Sequence, residues 1–249
     1  MINIYTKEEI EKIKKAGVIN NECHKYLASL IKPGISTKFL DDEAGKFIES
    51  HGGRPASKGY EGYPRNICIS LNDEIVHGIA KDNVLLKEGD IITFDILTEL
   101  NGYIADSATT WPVGKVNKEK EHLMHHTEKS LYAGLKEVKA GVPLGNVSAR
   151  IQQYAEKHGL SVPHEIGGHG VGREVHEDPF IANYGKYGEG IILKEGMVLA
   201  IEPMLVTGNR HVDILDDDWT IVTRDGSPSA HYEHTVAVTK DGYEILTGE

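Results

Sequence analysis

A chain of 249 residues, 39% apolar and 26% charged, has the composition of a soluble globular protein near the size limit of one hydrophobic core. Its formal net charge of −11 argues against nucleic acid as a direct partner, because phosphate binding wants a basic face. No segment approaches the ~20 apolar residues of a membrane span, the opening "MINIYTKEEIEKIKKAG" has no apolar signal core, and two cysteines make no disulfide framework, so a cytoplasmic protein without a membrane partner is expected.

Thr6 and Glu9 have the spacing of a capping box, which predicts a helix from Lys7 to about Leu30. "KPG" at 32–34 stops it. Ser36 or Thr37 caps a second helix, which ends near "HGG" at 51–53. The loop "KGYEGYP" (58–64) follows, and "NICISL" (66–71) reads as a strand. Two further strands flank Asn101-Gly102, the strongest short hairpin signal. In "HLMHH", His122, His125 and His126 fall at helical spacing and read as exposed helix histidines.

The second half echoes the first. "LLKEGDIITFDI" (85–96) resembles "ILKEGMVLAIEP" (192–203) at an offset of 107 residues. The same offset pairs Lys32 and Gly34 with Lys139 and Gly141, and His51-Gly52 with His158-Gly159. It also sets Asn101-Gly102 against Gly208-Asn209. These matches predict an internal duplication within a single domain spanning 1–249, its halves about 1–115 and 116–249. Each half holds two helices and then a hairpin. The class is α/β (α+β), with helices packed behind one sheet.

At that offset Asp95 lands on Glu202, and both acids follow an apolar run where an uncompensated charge is expensive. A two-residue turn at Asn101-Gly102 sets Leu97 opposite Asp106. Asp95 and Asp106 then become diagonal neighbours on one face, with Cα atoms roughly 7–8 Å apart. A pair of surface aspartates on a wet sheet face is the competing reading. "AHYEHTVAV" (230–238) reads as one strand, with His231, Glu233 and Thr235 on one face. Four carboxylates balance two divalent cations, and oxygen-rich ligation with an imidazole suits Mn, Fe, Co or Zn. Such a pair can generate hydroxide at neutral pH and polarise a carbonyl. In "GGHGVGREVHEDP" (167–179), four glycines make a helix improbable, so His169 and His176 are not a simple helical clasp.

"VHGI" (76–79), "FDI…ADSATT" (94–110), "GHGVGREVHEDP" (168–179), "AIEPM" (200–204) and "YEHT" (232–235) resemble, in order and spacing, the type I methionine aminopeptidases. The resemblance covers nearly the whole chain. It implies the pita-bread fold, a pseudo-twofold, antiparallel-rich curved sheet with helices behind it. It also implies two divalent metal ions, of Co, Mn, Fe, Zn or Ni. By resemblance, Asp95 ligates one metal only, Asp106 and Glu233 bridge both, and His169 and Glu202 complete the other. Glu202 is the candidate general base. His176 donates a hydrogen bond to the carbonyl oxygen as charge develops there, and His77 lies near the scissile amide nitrogen. Tyr60, Tyr63, Cys68 and Trp219 match positions around the methionine side chain, although "KGYEGYP" alone reads equally as a turn-rich surface loop.

The implied reaction removes the N-terminal methionine when the next residue is small, through attack of a metal-activated water on the first peptide bond. Nascent polypeptide N-termini are the implied partners, ribosome association is open, and a monomer is expected. Two alternatives remain. One is an Xaa-Pro aminopeptidase or prolidase of the same fold, usually with an added N-terminal domain. The other is a non-catalytic binding protein, which should have lost ligands. Ser57, Val175 and His231 depart from the common pattern of Cys, Phe and Gln.

Overall fold

Thr6 caps the first helix as its spacing predicts. Its hydroxyl accepts from Glu9 N, and the Glu9 carboxylate accepts from Thr6 N. The computed structural model describes residues 2–248. The first half comprises α1 (Lys7–Leu30), α2 (Thr37–Ser50), β1 (Arg54–Pro55), β2 (Cys68–Leu71), β3 (Glu74–Val76), β4 (Ile91–Leu100) and β5 (Tyr103–Pro112). The second comprises α3 (Lys118–Leu135), α4 (Leu144–Lys157), β6 (Gly167–Gly170), β7 (Glu177–Ala182), β8 (Val198–Ile201) and β9 (Met204–Val206). It continues through β10 (Val212–Ile214), β11 (Ile221–Thr223), β12 (Ser229–His231), β13 (His234–Val238) and β14 (Tyr243–Ile245).

The 107-residue offset recurs in the structure. Helices α2 and α4 have the same length and begin 107 residues apart. Gly34 N donates to Leu86 O, and Gly141 N donates to Leu193 O, each at 2.8 Å. Isolated bridges join Ser36 to Leu85 and Pro143 to Ile192. Gly89 and Gly196 both hold φ +88, a left-handed turn that favours glycine. Each half builds its own core of helix against strand. Leu27, Leu40 and Ile48 meet Phe94 and Ile96 in one. Leu135, Val147 and Ile151 meet Leu199 and Ile201 in the other. Every ladder is antiparallel.

The β4–β5 hairpin has the predicted register, with Leu100 opposite Tyr103 and Leu97 opposite Asp106. Alternation along β4 turns Ile92, Phe94 and Ile96 into the helix-backed core and leaves Asp95 on the other face. Three expectations need correction. Among the described residues the ladders group into four sheets rather than one. The strand predicted over 66–71 begins only at Cys68, because Asp41 on α2 captures the backbone N–H groups of Asn66 and Ile67. The pairing of Asn101-Gly102 with Gly208-Asn209 does not hold as a pair of turns. Gly89 N bonds Val113 O, but Gly196 N bonds Val238 O. Val238 lies 125 residues after Val113, against the 107 of the repeat, so the second half carries 18 more residues. Much of that excess is the β10–β11 hairpin, which pairs with β3 of the first half.

The halves meet where β5 abuts β12 and β13, and threonine hydroxyls act there as surrogate ladder bonds. Thr235 Oγ1 accepts from Asp106 N at 2.9 Å and donates to Asp106 O at 2.7 Å. Thr110 Oγ1 accepts from His231 N at 2.9 Å and donates to His231 O at 3.0 Å. This seam carries Asp106, His231 and Glu233. Among the described residues no helix is long and apolar enough to cross a membrane.

Candidate active site

Glu202 and Glu233 do not lie within strands. The strand predicted over 230–238 is broken at Tyr232 and Glu233, between β12 and β13. Glu202 and Pro203 form the matching break between β8 and β9. The breaks face each other: His234 pairs with Ile201 on one side, and His231 with Met204 on the other. A proline cannot donate to a ladder, so Pro203 ends β8. Glu233 N bonds Ala108 O across the seam. Both glutamates are thereby turned toward the acids of the first half.

His169 sits on β6 opposite Ala200 of β8. The flanking glycines allow the approach. A Cβ on Gly168 would lie 2.2 Å from Ala200 O, and one on Gly170 would lie 2.3 Å from Asp178 O. His169 Nδ1 lies 2.9 Å from Gly170 O. A proton on Nδ1 satisfies that carbonyl and leaves Nε2 as a lone pair, 3.6 Å from Asp106 Oδ2 and 3.5 Å from Glu202 Oε1.

These side chains open onto a cavity of about 590 Å³. Every site residue expected from the sequence lines it: Asp95, Asp106, His169, Glu202 and Glu233 at the floor, with His77, His176, Tyr60, Tyr63, Cys68 and Trp219 around them. Ser57 and Val175 line it too. His231 does not. It is 1% exposed and lies behind the glutamates, its Nε2 3.4 Å from Glu202 Oε2 and 3.8 Å from Glu233 Oε2.

Burial dominates the electrostatics. It raises Asp106, Glu202 and Glu233 well above the usual carboxylate range, with neighbouring carboxylates adding repulsion at Asp106 and Glu233. It pushes Asp95 up to about 6. Burial lowers His169 to about 3 and His77 to about 4, which keeps both imidazoles neutral near pH 7. Asp95 Oδ1, Asp106 Oδ1 and Glu233 Oε1 are buried with no hydrogen-bond partner among the described residues. Such orphaned acceptors are costly alone and fit a cation that uses them. Ligand atoms of Asp106, His169 and Glu233 lie within 4.8 Å of one another, close enough to hold a metal ion.

The other lining residues are equally ordered. His176 Nδ1 lies 3.0 Å from the Tyr60 hydroxyl, and its ring stands edge-on to His169 at 4.3 Å. Tyr63 meets Trp219 edge-to-face at 5.1 Å and donates to Gly78 O at 2.7 Å. That bond anchors the turn in which His77 holds φ +60, a left-handed conformation uncommon outside glycine.

The chain matches metallopeptidase family M24 over residues 11–240. It is 50% identical over 247 residues to methionine aminopeptidase 1 of Bacillus subtilis, covering 99% of each chain. The chain belongs to metallopeptidase family M24. Its fold superposes on a methionine aminopeptidase structure from Thermotoga maritima with a TM-score of 0.98, at 42% identity and full coverage of both chains. A Pyrococcus furiosus prolidase matches with a TM-score of 0.81 at 24% identity, which shows the shared pita-bread fold alone, and the chain covers 65% of it. M24 membership makes the chain a hydrolase that uses divalent metal.

Some residues that shape this M24 site carried no sequence signal. Tyr5 donates to Glu177 Oε1 at 2.6 Å and accepts from Arg173 N at 3.0 Å, so the N-terminal segment clamps the loop bearing His176. Asn183 Nδ2 donates to Glu202 O at 2.9 Å. Thr110 and Thr235 hold the seam, yet a threonine in a strand looks ordinary. Gly168→Ala is expected to cost about 1–3 kcal/mol, because β6 must retreat from β8. That retreat should also weaken metal binding. Thermal unfolding with and without added Mn²⁺ checks both effects.

Proposed function

We propose that this chain removes the N-terminal methionine of new polypeptides when the second residue is small. The end-to-end 50% identity with a protein named methionine aminopeptidase supports this reading, and the observation that carries it is a cavity joining buried, unpartnered carboxylates to an aromatic-lined pocket. A flexible thioether suits a pocket of that kind. In this reading two divalent ions, of Co, Mn, Fe, Zn or Ni, would be held by Asp95, Asp106, His169, Glu202 and Glu233. When bound, such a pair supplies Lewis acidity and a water acidic enough to ionise near neutral pH.

The protein's own groups do the rest. Glu202 accepts and passes on the proton of the attacking water. His176 donates a hydrogen bond to the carbonyl oxygen as negative charge gathers there. It can do so if the Tyr60 hydroxyl donates to Nδ1, which leaves the proton on Nε2. His77 stands by the departing amide nitrogen. Tyr63, Trp219 and Cys68 enclose the methionine side chain, with Tyr60 at the rim. The substrate partners are nascent polypeptide N-termini, and the chain works as a cytoplasmic monomer. Comparing Met-Ala-Ser with Xaa-Pro peptides on the metal-loaded protein tests the reading. Release of methionine from Met-Ala-Ser, with Xaa-Pro left intact, is expected. Xaa-Pro cleavage alone would reassign the chain to prolidase-type chemistry, and a metal-loaded chain inert on both would make it a binding protein.

His231 adds an imidazole beside two of these ligands. His231→Gln is expected to leave the fold intact while changing both the metal affinity and the pH dependence of turnover. Isothermal titration with Mn²⁺ and a pH–rate profile measure this. Unchanged curves for both would remove His231 from any part in the site.

A further inference from the structure

The histidines of "HLMHH" have a neighbour that the sequence does not announce. His122 and His126 are four residues apart on α3 and share a face. Their ring centroids are 4.3 Å apart. His158 caps the C-terminus of α4 and stacks on His126 at 3.9 Å. His125 adds a fourth imidazole 4.9 Å from His126. None of the four lines the active cavity.

We infer that His122, His126 and His158 form a second metal site, for a borderline divalent cation of the Ni²⁺, Zn²⁺ or Cu²⁺ class, bridging α3 to the end of α4. Imidazole nitrogens select that class over Mg²⁺ or Ca²⁺, which take oxygen. The scaffold is rigid. Helices α3 and α4 pack so closely that a Cβ on Gly134 would lie 2.6 Å from Ile151 Cγ1. The Tyr154 hydroxyl lies 3.2 Å from His126 Nδ1, a partner that leaves Nε2 to ligate. Partial burial and the surrounding imidazoles of His158, His122 and His125 lower His126 to about 4, so it is neutral and ready to bind at pH 7. His122 and His125 are exposed and His158 is half-buried, so a cation has access. In the structure His122 Nε2 lies 2.9 Å from His158 O, and the His126 and His158 rings stack. Ligation exchanges that contact for a metal bond by rotation of exposed side chains.

The site is independent of the hydrolase reading, and so is its test. Ni²⁺ is titrated at pH 7.5 into the full chain and into the His122→Gln/His126→Gln double variant, with near-UV circular dichroism to verify the fold. The wild type is expected to hold one more Ni²⁺ than the double variant, with His158→Gln weakening that ion at least tenfold. Imidazole resonances of His122, His126 and His158 in the wild type should broaden together as Ni²⁺ is added. Equal stoichiometry in wild type and double variant would overturn the proposal. So would sharp resonances from these three residues at Ni²⁺ saturation, a result that needs no variant.

Discussion

Asp106→Asn is expected to lower affinity for divalent cations by more than about 100-fold. Losing a mere supporting partner of a ligand costs ~10–100-fold, and in the proposed reading this carboxylate is itself a ligand. Turnover of Met-Ala-Ser should fall to near background at ordinary metal concentrations. The same substitution is expected to stabilise the chain in the absence of metal. Asp106 is 3% exposed, its Oδ1 has no hydrogen-bond partner, and burial and Asp95 hold it well above the usual carboxylate range. Asparagine removes the cost of keeping that group ionisable inside the protein. Each kcal/mol gained is worth ~2–4 °C in a chain of this size. Melting in chelator and in Mn²⁺ therefore separates the two effects: the first midpoint should rise, and the increment on adding metal should shrink. Wild-type metal affinity in the variant would refute the role given to Asp106.

His176→Ala should behave differently. It is expected to leave metal content unchanged and to lower kcat by roughly 10²–10³, the usual loss for a donor aimed at a developing oxyanion. Burial lowers the pKa of His176, so the neutral ring prevails near pH 7 and its tautomer decides whether it can donate. In the proposed reading the Tyr60 hydroxyl, 3.0 Å from Nδ1, donates to it and so sets that tautomer. Tyr60→Phe should then cost ~10-fold in kcat, less than removing the ring, with no further loss when the two changes are combined. Single-turnover rates on metal-loaded protein measure both. A fall in metal content in His176→Ala would instead make it a ligand.

The parts of this molecule governed by local rules could be read directly from the sequence. The capping box at Thr6 and Glu9, the stop at Gly34 and the Asn101-Gly102 turn depend on neighbours in the chain, and each fixed its element. The hairpin register followed from the turn length, and with it the placing of Asp95 beside Asp106. What escaped were features set by distant partners. The late start of β2 depends on Asp41, which lies on another element. The break at Tyr232 and Glu233 follows from the seam with β5, and no residue in "AHYEHTVAV" signals it. Its counterpart at Glu202 had a signal in Pro203. The residues named from the sequence meet at one cavity because separate motifs converge, each weak alone, whereas Tyr5 and Asn183 act through hydrogen bonds that leave no pattern.

The 18 residues by which the second half exceeds the first include the β10–β11 hairpin, which lies between β9 and β12. Asp95 and Asp106 reach the cavity from the first half of the chain, and His169, Glu202 and Glu233 from the second. Trp219 and Ile221, which wall the same cavity, lie in the stretch between β9 and β12. Editing residues 207–228 would therefore reshape the wall without touching any of those five side chains. The reactive groups and the shape that admits a side chain are separable parts of one chain.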